Sequence, residues 1–183
     1  MLSDEHRQLL KQLAKDSIEY GLANQRPLFV DISSMPEKLT EHRATFVTLE
    51  INNQLRGCIG MLDAQRPLAE DVAFNSYAAA FSDSRFPPVE YYELANLSIH
   101  ISVLNPAAQL NIQSETDLIK QLKPDIDGLI IEDESHRATF LPSVWQSLPR
   151  AEDFVHHLKI KAGFDADYWS KNIRAYRYST ESF

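Results

Sequence analysis

Apolar positions along the chain change period several times, and each change marks an element. Leu9, Leu10, Leu13, Ala14, Ile18 and Leu22 recur at three- and four-residue spacing, which predicts one buried stripe on an opening helix. Ser3 is its predicted N-cap, with Asp4 and Glu5 placed against the positive helix end. Residues 25–40 contain Pro27 and Pro36 without a sustained period and read as an irregular arm. Residues 44–51 (ATFVTLEI) are rich in β-branched and aromatic side chains and set Val47, Leu49 and Ile51 on one face of a strand. Asn52-Asn53 tolerates positive φ and suits a two-residue hairpin turn, after which residues 54–61 return as the second strand. Plain alternation then puts Arg56 and Cys58 on one face and Leu55, Gly57 and Ile59 on the other, with Gly57 and Gly60 open to a bulge or a close approach.

Pro67 suits the first turn of a helix reaching about Phe81, whose apolar face holds Leu68, Val72, Ala79 and Ala80. Residues 82–88 (SDSRFPP) are extended or turned, because two prolines exclude a helix and bias Phe86 away from the α region. Residues 97–104 alternate cleanly, with Leu97, Ile99, Ile101 and Val103 opposite Ser98, His100 and Ser102, as a half-buried strand does. Ser114 caps a short helix with Leu118 and Leu122, stopped by Pro124. Residues 129–131 and 138–141 flank an acidic turn and form a second predicted hairpin. Residues 152–162 make an amphipathic helix ending at Gly163, and residues 173–178 a last strand. Two hairpins, scattered helices and no βαβ rhythm predict an α+β fold.

Composition narrows the class. A chain of 183 residues that is 44% hydrophobic and 24% charged suits one domain, or one body with two lobes, and can bury a core. The net charge of −8 disfavours nucleic-acid backbones and anionic membranes. No stretch approaches the ~18 apolar residues of a membrane span. The opening residues lack the basic start and apolar run of a signal peptide. The single cysteine, Cys58, excludes an internal disulfide and a cysteine-rich zinc site. Together these features predict a cytoplasmic protein.

Few residues offer chemistry. Cys58 is a candidate nucleophile if a neighbouring positive charge stabilises its thiolate, and Arg56, two positions away on a strand, lies ~6–7 Å off. The same cysteine reads first as a small buried hydrophobe, since free Cys is among the most buried residue types. Arg56, flanked by Leu55 and Gly57, requires a carboxylate, a phosphate or a substrate anion, so it either binds a ligand or closes an internal ion pair. Arg85 is a second cationic candidate in a proline-stiffened loop, unless Asp83 pins it locally. His100 is a candidate base or ligand contact, or a hydrogen-bonded surface residue. His156-His157 lacks the spacing of a helical zinc pair, and no HExxH, GxSxG, GxGxxG or P-loop pattern occurs. The Lys171, Arg174, Arg177 cluster reads as a solvated strand face. No metal ligand set and no cofactor is assigned.

The hexapeptide LRGCIG (55–60), with SRFPPV (84–89), LPSVW (141–145) and KAGF (161–164), resembles the AMMECR family in content and order across most of the chain. The short form is similar to members of the AmmeMemoRadiSam system, in which an AMMECR-type domain occurs with a Memo-like protein and a radical-SAM protein. The resemblance implies one AMMECR-type α+β domain over residues 1–183, two-lobed, its mixed or antiparallel sheet flanked by helices. The larger lobe is formed by both chain ends, and a cleft lies near LRGCIG. It implies Memo-like and radical-SAM partners and no particular reaction. Carried over by position, Arg56, Gly57, Gly60, Ser84, Arg85 and Phe86 are the motif residues expected to bind a small polar or anionic ligand, with Cys58 as nucleophile or proton donor. His100 joins that set from its own strand position, and it stands where many members carry an acidic residue. Two functions follow: an enzyme or enzyme subunit acting in the cleft, or an assembly module without chemistry of its own.

Overall fold

The helix expected from the opening stripe forms over Asp4–Asn24 (α1) in the computed structural model, which describes residues 1–183. Ser3 Oγ accepts the His6 N–H at 3.2 Å, and Gln25 ends the helix with φ 55°, its N–H returned to the Gly21 carbonyl. Leu10, Leu13, Ala14 and Ile18 are buried. Leu9 is 37% exposed, because it lies one step off that line and turns toward water. The irregular arm carries a 3₁₀ turn at Ile32–Ser34 and a one-turn helix, Glu37–Thr40 (α2).

The next elements are Thr45–Ile51 (β1), Gln54–Gly60 (β2), Leu68–Phe81 (α3) and Leu97–Leu104 (β3), with a 3₁₀ turn at Tyr91–Asn96 before β3. They are followed by Ala108–Gln109 (β4), Glu115–Gln121 (α4), Gly128–Asp133 (β5), His136–Phe140 (β6), Ala151–Ala162 (α5), Arg174–Tyr178 (β7) and Thr180–Ser182 (β8). The chain divides into two units, Met1–Leu104 with Glu181–Phe183, and Asn105–Thr180. Two separate antiparallel sheets with helices make the fold α+β, as expected.

In the first unit the sheet order is β2-β1-β3-β8. Asn52 and Asn53, at φ 53° and 60°, make the left-handed turn that joins β1 to β2. Val47, Leu49, Ile101 and Val103 bury one face of the sheet against α1 and α3. The small residues Ala69, Ala73, Ala79 and Ala80 let α3 approach closely. At Gly57 the approach is closest: a Cβ there would stand 2.1 Å from the Ala79 carbonyl oxygen. Inside this core Asp71 Oδ2 accepts the Thr45 N–H at 3.0 Å, the Thr45 hydroxyl at 2.7 Å and the Asn75 amide at 2.9 Å. Those bonds satisfy a carboxylate that is almost wholly buried.

The second unit has its own sheet, β4-β7-β5-β6, and its own core. β5 is central and its apolar run is buried on both faces, which is why it does not alternate. Trp145 stacks on Phe154 with ring centroids 3.9 Å apart and gives its indole N–H to the Asp127 carbonyl at 2.7 Å. Gly163 closes α5 at φ 87°, where the sequence places the stop. The two-residue β4 and three-residue β8 are too short to show a period. Replacing Gly57 by alanine is expected to cost about 3 kcal/mol, the upper end for forcing extra atoms into a packed core. A urea titration reads this as a lower midpoint at constant slope, and an unchanged midpoint would contradict the seating of α3 on β2.

Candidate functional site at the β2 edge

β2 is an edge strand, so half of its backbone polar groups face away from β1. The register decides which. Thr48 is opposite Cys58 and Leu49 opposite Gly57, but Glu50 is opposite Leu55, so Arg56 is the extra residue of a β-bulge. Plain hairpin counting from the Asn52-Asn53 turn would have set Leu49 opposite Arg56. The bulge also corrects the expected faces. Leu55 lies opposite Glu50 and is 43% exposed, whereas Gly57 and Ile59 turn toward the core. Arg56 is no longer on the Cys58 face by alternation.

Two ion pairs occupy the open edge. Cys58 donates its N–H to Asp83 Oδ2 at 2.8 Å, and Arg85 Nη2 donates to the Cys58 carbonyl at 3.4 Å. Arg85 and Asp83 are themselves joined at 2.9 Å (Nε to Oδ1) and 2.7 Å (Nη2 to Oδ2). A carboxylate and a guanidinium therefore replace the C=O and N–H of a missing neighbour strand. Two residues up the strand, Arg56 clamps Glu93 through Nε at 2.7 Å and Nη2 at 2.9 Å. It also donates to the Pro87 and Pro88 carbonyls at 2.9 and 3.2 Å. Proline carbonyls suit this role, since extended X-Pro backbone leaves them free of helix or sheet pairing. Electrostatics follow the geometry. The Arg85 guanidinium, helped by the Cys58 N–H, holds the Asp83 carboxyl far below its usual range. Arg56 lowers Glu93 in the same direction.

On the solvent side of the sheet the Cys58 thiol lies 3.2 Å from the Thr48 hydroxyl. Thr48 pairs onward with His100 on β3, so Cys58, Thr48 and His100 form a row across three strands. Cross-strand steps of roughly 5 Å leave Cys58 and His100 about 10 Å apart, beyond direct proton transfer. His100 Nε2 faces Glu50 Oε2 instead, at 3.5 Å. Gly60 lies beneath Phe46, whose ring would meet a Cβ at 2.4 Å. Ser84 is exposed, and Phe86 is half-buried beside Arg85, 5.5 Å from its guanidinium carbon.

The structure thus brings Arg85, with Phe86 beside it, to Cys58, leaves Ser84 exposed next to Arg85 in the chain, turns Arg56 to Glu93, and keeps His100 two strands away. Thr48, Glu50 and Glu93 are absent from the expectations, and Asp83 enters them only as a partner of Arg85. The cation beside Cys58 is Arg85, not Arg56. No group of three or more His, Cys, Asp or Glu side chains is arranged to hold a metal ion, and no helix is long and apolar enough to cross a membrane.

A family model described as AMMECR1 matches residues 11–183. The chain belongs to the AMMECR1 family. A protein of Methanothermobacter thermautotrophicus is 34% identical over 98% of this chain and 94% of its own length. Another, from Methanocaldococcus jannaschii, is 31% identical over 100% of this chain and 92% of its own. The crystal structure of an uncharacterized Pyrococcus horikoshii protein matches with a TM-score of 0.91 at 31% identity, covering 99% of this chain and 92% of that one. The AMMECR1 fold is therefore shared with a solved structure along nearly the whole chain.

The lowered carboxyls fix the sign of an acid response. Both folded values lie below the unfolded ones, so the stabilisation is complete above about pH 5 and is lost as pH falls through the folded values. Asp83→Asn keeps an acceptor for the Cys58 N–H but removes the titration. Its urea midpoint is expected to be lower at pH 7 and to fall less steeply below about pH 4 than that of the unaltered protein. Parallel curves would exclude Asp83 as a source of the acid response.

Proposed function

We propose that this AMMECR1-family protein is an accessory component of an AmmeMemoRadiSam-type modification or biosynthetic system that binds a small polar or anionic ligand beside Cys58. The observation that carries this reading is the state of Arg85. Asp83 and the Cys58 carbonyl take its Nε and Nη2, while Nη1 has no partner and the side chain is 55% exposed. A guanidinium already oriented by an internal carboxylate can offer its free edge to a carboxylate or phosphate with little ordering cost. The Phe86 ring lies 5.5 Å from the guanidinium carbon, the Cys58 carbonyl accepts from Nη2 on the other side, and Ser84 is the exposed residue next to Arg85 in the chain.

The ligand is bound rather than attacked in this reading. A nucleophilic thiol needs a base within hydrogen-bond reach, and the hydrogen-bond partner of the Cys58 thiol is the neutral Thr48 hydroxyl, at 3.2 Å. Arg56 supports the site from behind, since Glu93, Pro87 and Pro88 engage Nε and both terminal nitrogens. That commitment also favours a second reading, an assembly module for Memo-like and radical-SAM proteins, because a rigid edge serves docking without chemistry.

Native alkylation of Cys58 by a thiol reagent tests the ligand site. The thiol is expected to react without denaturant, phosphate or a small dicarboxylate is expected to slow it, and Arg85→Gln is expected to remove that protection, measured against the variant's own rate without added anion. A thiol that reacts only after denaturation, or protection unchanged in Arg85→Gln, overturns the ligand reading. For the assembly reading, co-elution with the Memo-like or radical-SAM protein is expected at tens of micromolar, and persistent separation counts against it.

A further inference from the structure

We propose that the cavity between residues 26–30 of the irregular arm and the first turns of α3 binds a free α-amino acid with an apolar side chain, held as its zwitterion. Two opposite charges without partners carry the inference. Arg26 and Glu70 line one cavity of about 290 Å³, at the small end of the range of ligand pockets. Arg26 gives Nη2 to the Tyr20 hydroxyl at 2.6 Å, its guanidinium carbon lies 5.5 Å from the Tyr20 ring, and no carboxylate pairs with it. Glu70 is the third residue of α3, from which a glutamate commonly reaches back to the N–H of the N-cap. Here the N-cap is Pro67, which has no N–H, and the Glu70 carboxylate has neither a hydrogen bond nor an ion pair. The two side chains line the same cavity without pairing with each other, so the space between them is open to a group that carries both charges.

The other walls are apolar and held in place. Pro27, Phe29 and Phe74 contribute to them. Leu28 donates its N–H to Ser17 Oγ at 3.2 Å, and the Ser17 hydroxyl donates to the Ala73 carbonyl at 2.7 Å. Val30 is buried, so the arm is fastened on both sides of Phe29. Phe29 itself is 82% exposed, a large apolar surface that the chain leaves uncovered. Phe74 is half-buried, with the Arg66 guanidinium carbon 3.9 Å from its ring centre. Arg66 is drawn to Asp71 at 3.5 Å and so belongs to the buried carboxylate around Thr45, which leaves Arg26 as the cation of the cavity.

Charge selects the occupant. A guanidinium pairs with a carboxylate and a carboxylate with an ammonium, and a ligand of one sign would satisfy one wall while covering the other charge without a partner. Phosphates and dicarboxylates are opposed by Glu70, and diamines by Arg26. An α-amino acid carries both ions on one carbon and has no net charge, so the −8 of the chain does not repel it. Its apolar side chain would cover part of Phe29 and lie against Phe74. The Tyr20 hydroxyl already orients Arg26, which lowers the ordering cost of binding. None of these residues belongs to the site at Cys58, so the inference stands apart from the ligand reading there.

The test uses the intact protein and three probes: phenylalanine, N-acetylphenylalanine, which lacks the ammonium, and phenylalaninamide, which lacks the carboxylate. Phenylalanine is expected to bind with a Kd below about 1 mM and to shift the amide resonances of Phe29 and Phe74. Each singly charged probe is expected to bind at least about tenfold more weakly. Glu70→Gln is expected to abolish the preference over N-acetylphenylalanine, and Arg26→Gln the preference over phenylalaninamide. Both residues are exposed, and if a variant fails to fold, the ranking of the three probes with the unaltered protein still decides. Phenylalanine is also expected to leave native alkylation of Cys58 unchanged, which separates this cavity from the other site. Three results overturn the proposal: no saturable binding up to about 10 mM, equal binding of the three probes, or slowed Cys58 alkylation with no shift at Phe29.

Discussion

The architecture of the first unit depends on closing the free edge of β2. An edge strand exposes a ladder of donors and acceptors that another strand can capture, and burial of that ladder without partners is costly. This protein closes it with side chains. Asp83 takes the Cys58 N–H, Arg85 approaches the Cys58 carbonyl, and Arg56 fastens the next stretch to Glu93 and the Pro87 and Pro88 carbonyls. Two stretches of sequence about 30 residues apart, LRGCIG and SDSRFPPVE, are thereby one structural object, with each supplying what the other lacks. The prolines hold the second stretch extended, so its carbonyls are available to a guanidinium. Seen this way, much of the polarity in these two motifs serves the backbone, and the part left over, the free side of Arg85 with its neighbours, is what is open to a ligand.

Much of this fold is legible in the sequence because periodicity records burial. α1, the hairpin turn at Asn52-Asn53, the alternating β3 and the Gly163 stop of α5 all lie where spacing puts them, since each buries one face along a regular element. β4 and β8 carry too few residues for any period to register. β5 was readable as a strand only through its apolar run, since a central strand has no solvent side to impose alternation. Leu9 shows the limit inside an element, where a leucine one position from the buried line still looks like part of the stripe.

The site is less legible, and the reason is geometric. Spacing ties Cys58 to Arg56, two residues away, but a bulge breaks the alternation between them and a loop brings in Arg85 from 27 residues further on. Asp83 as the partner of Arg85 can be guessed because the two lie two positions apart in the chain. Glu93 as the partner of Arg56 cannot, since nothing local links positions separated by 37 residues. Thr48 becomes a neighbour of the thiol only once the register is known. Local sequence thus names the segment that matters and misassigns the contacts within it.

The bulge at Arg56 has one more consequence, for how this hairpin tolerates changes in length. Between the Asn52-Asn53 turn and Cys58 the two strands differ by a single residue, and that odd count decides that the thiol faces outward while Gly57 lies under α3. Loss or gain of one residue there would exchange the two sides, sending a thiol into the space of a hydrogen atom and a glycine to the surface. Loops elsewhere in the chain can vary in length at small cost. Here the interval from arginine to cysteine is fixed by parity, so substitutions are open to it in a way that insertions and deletions are not.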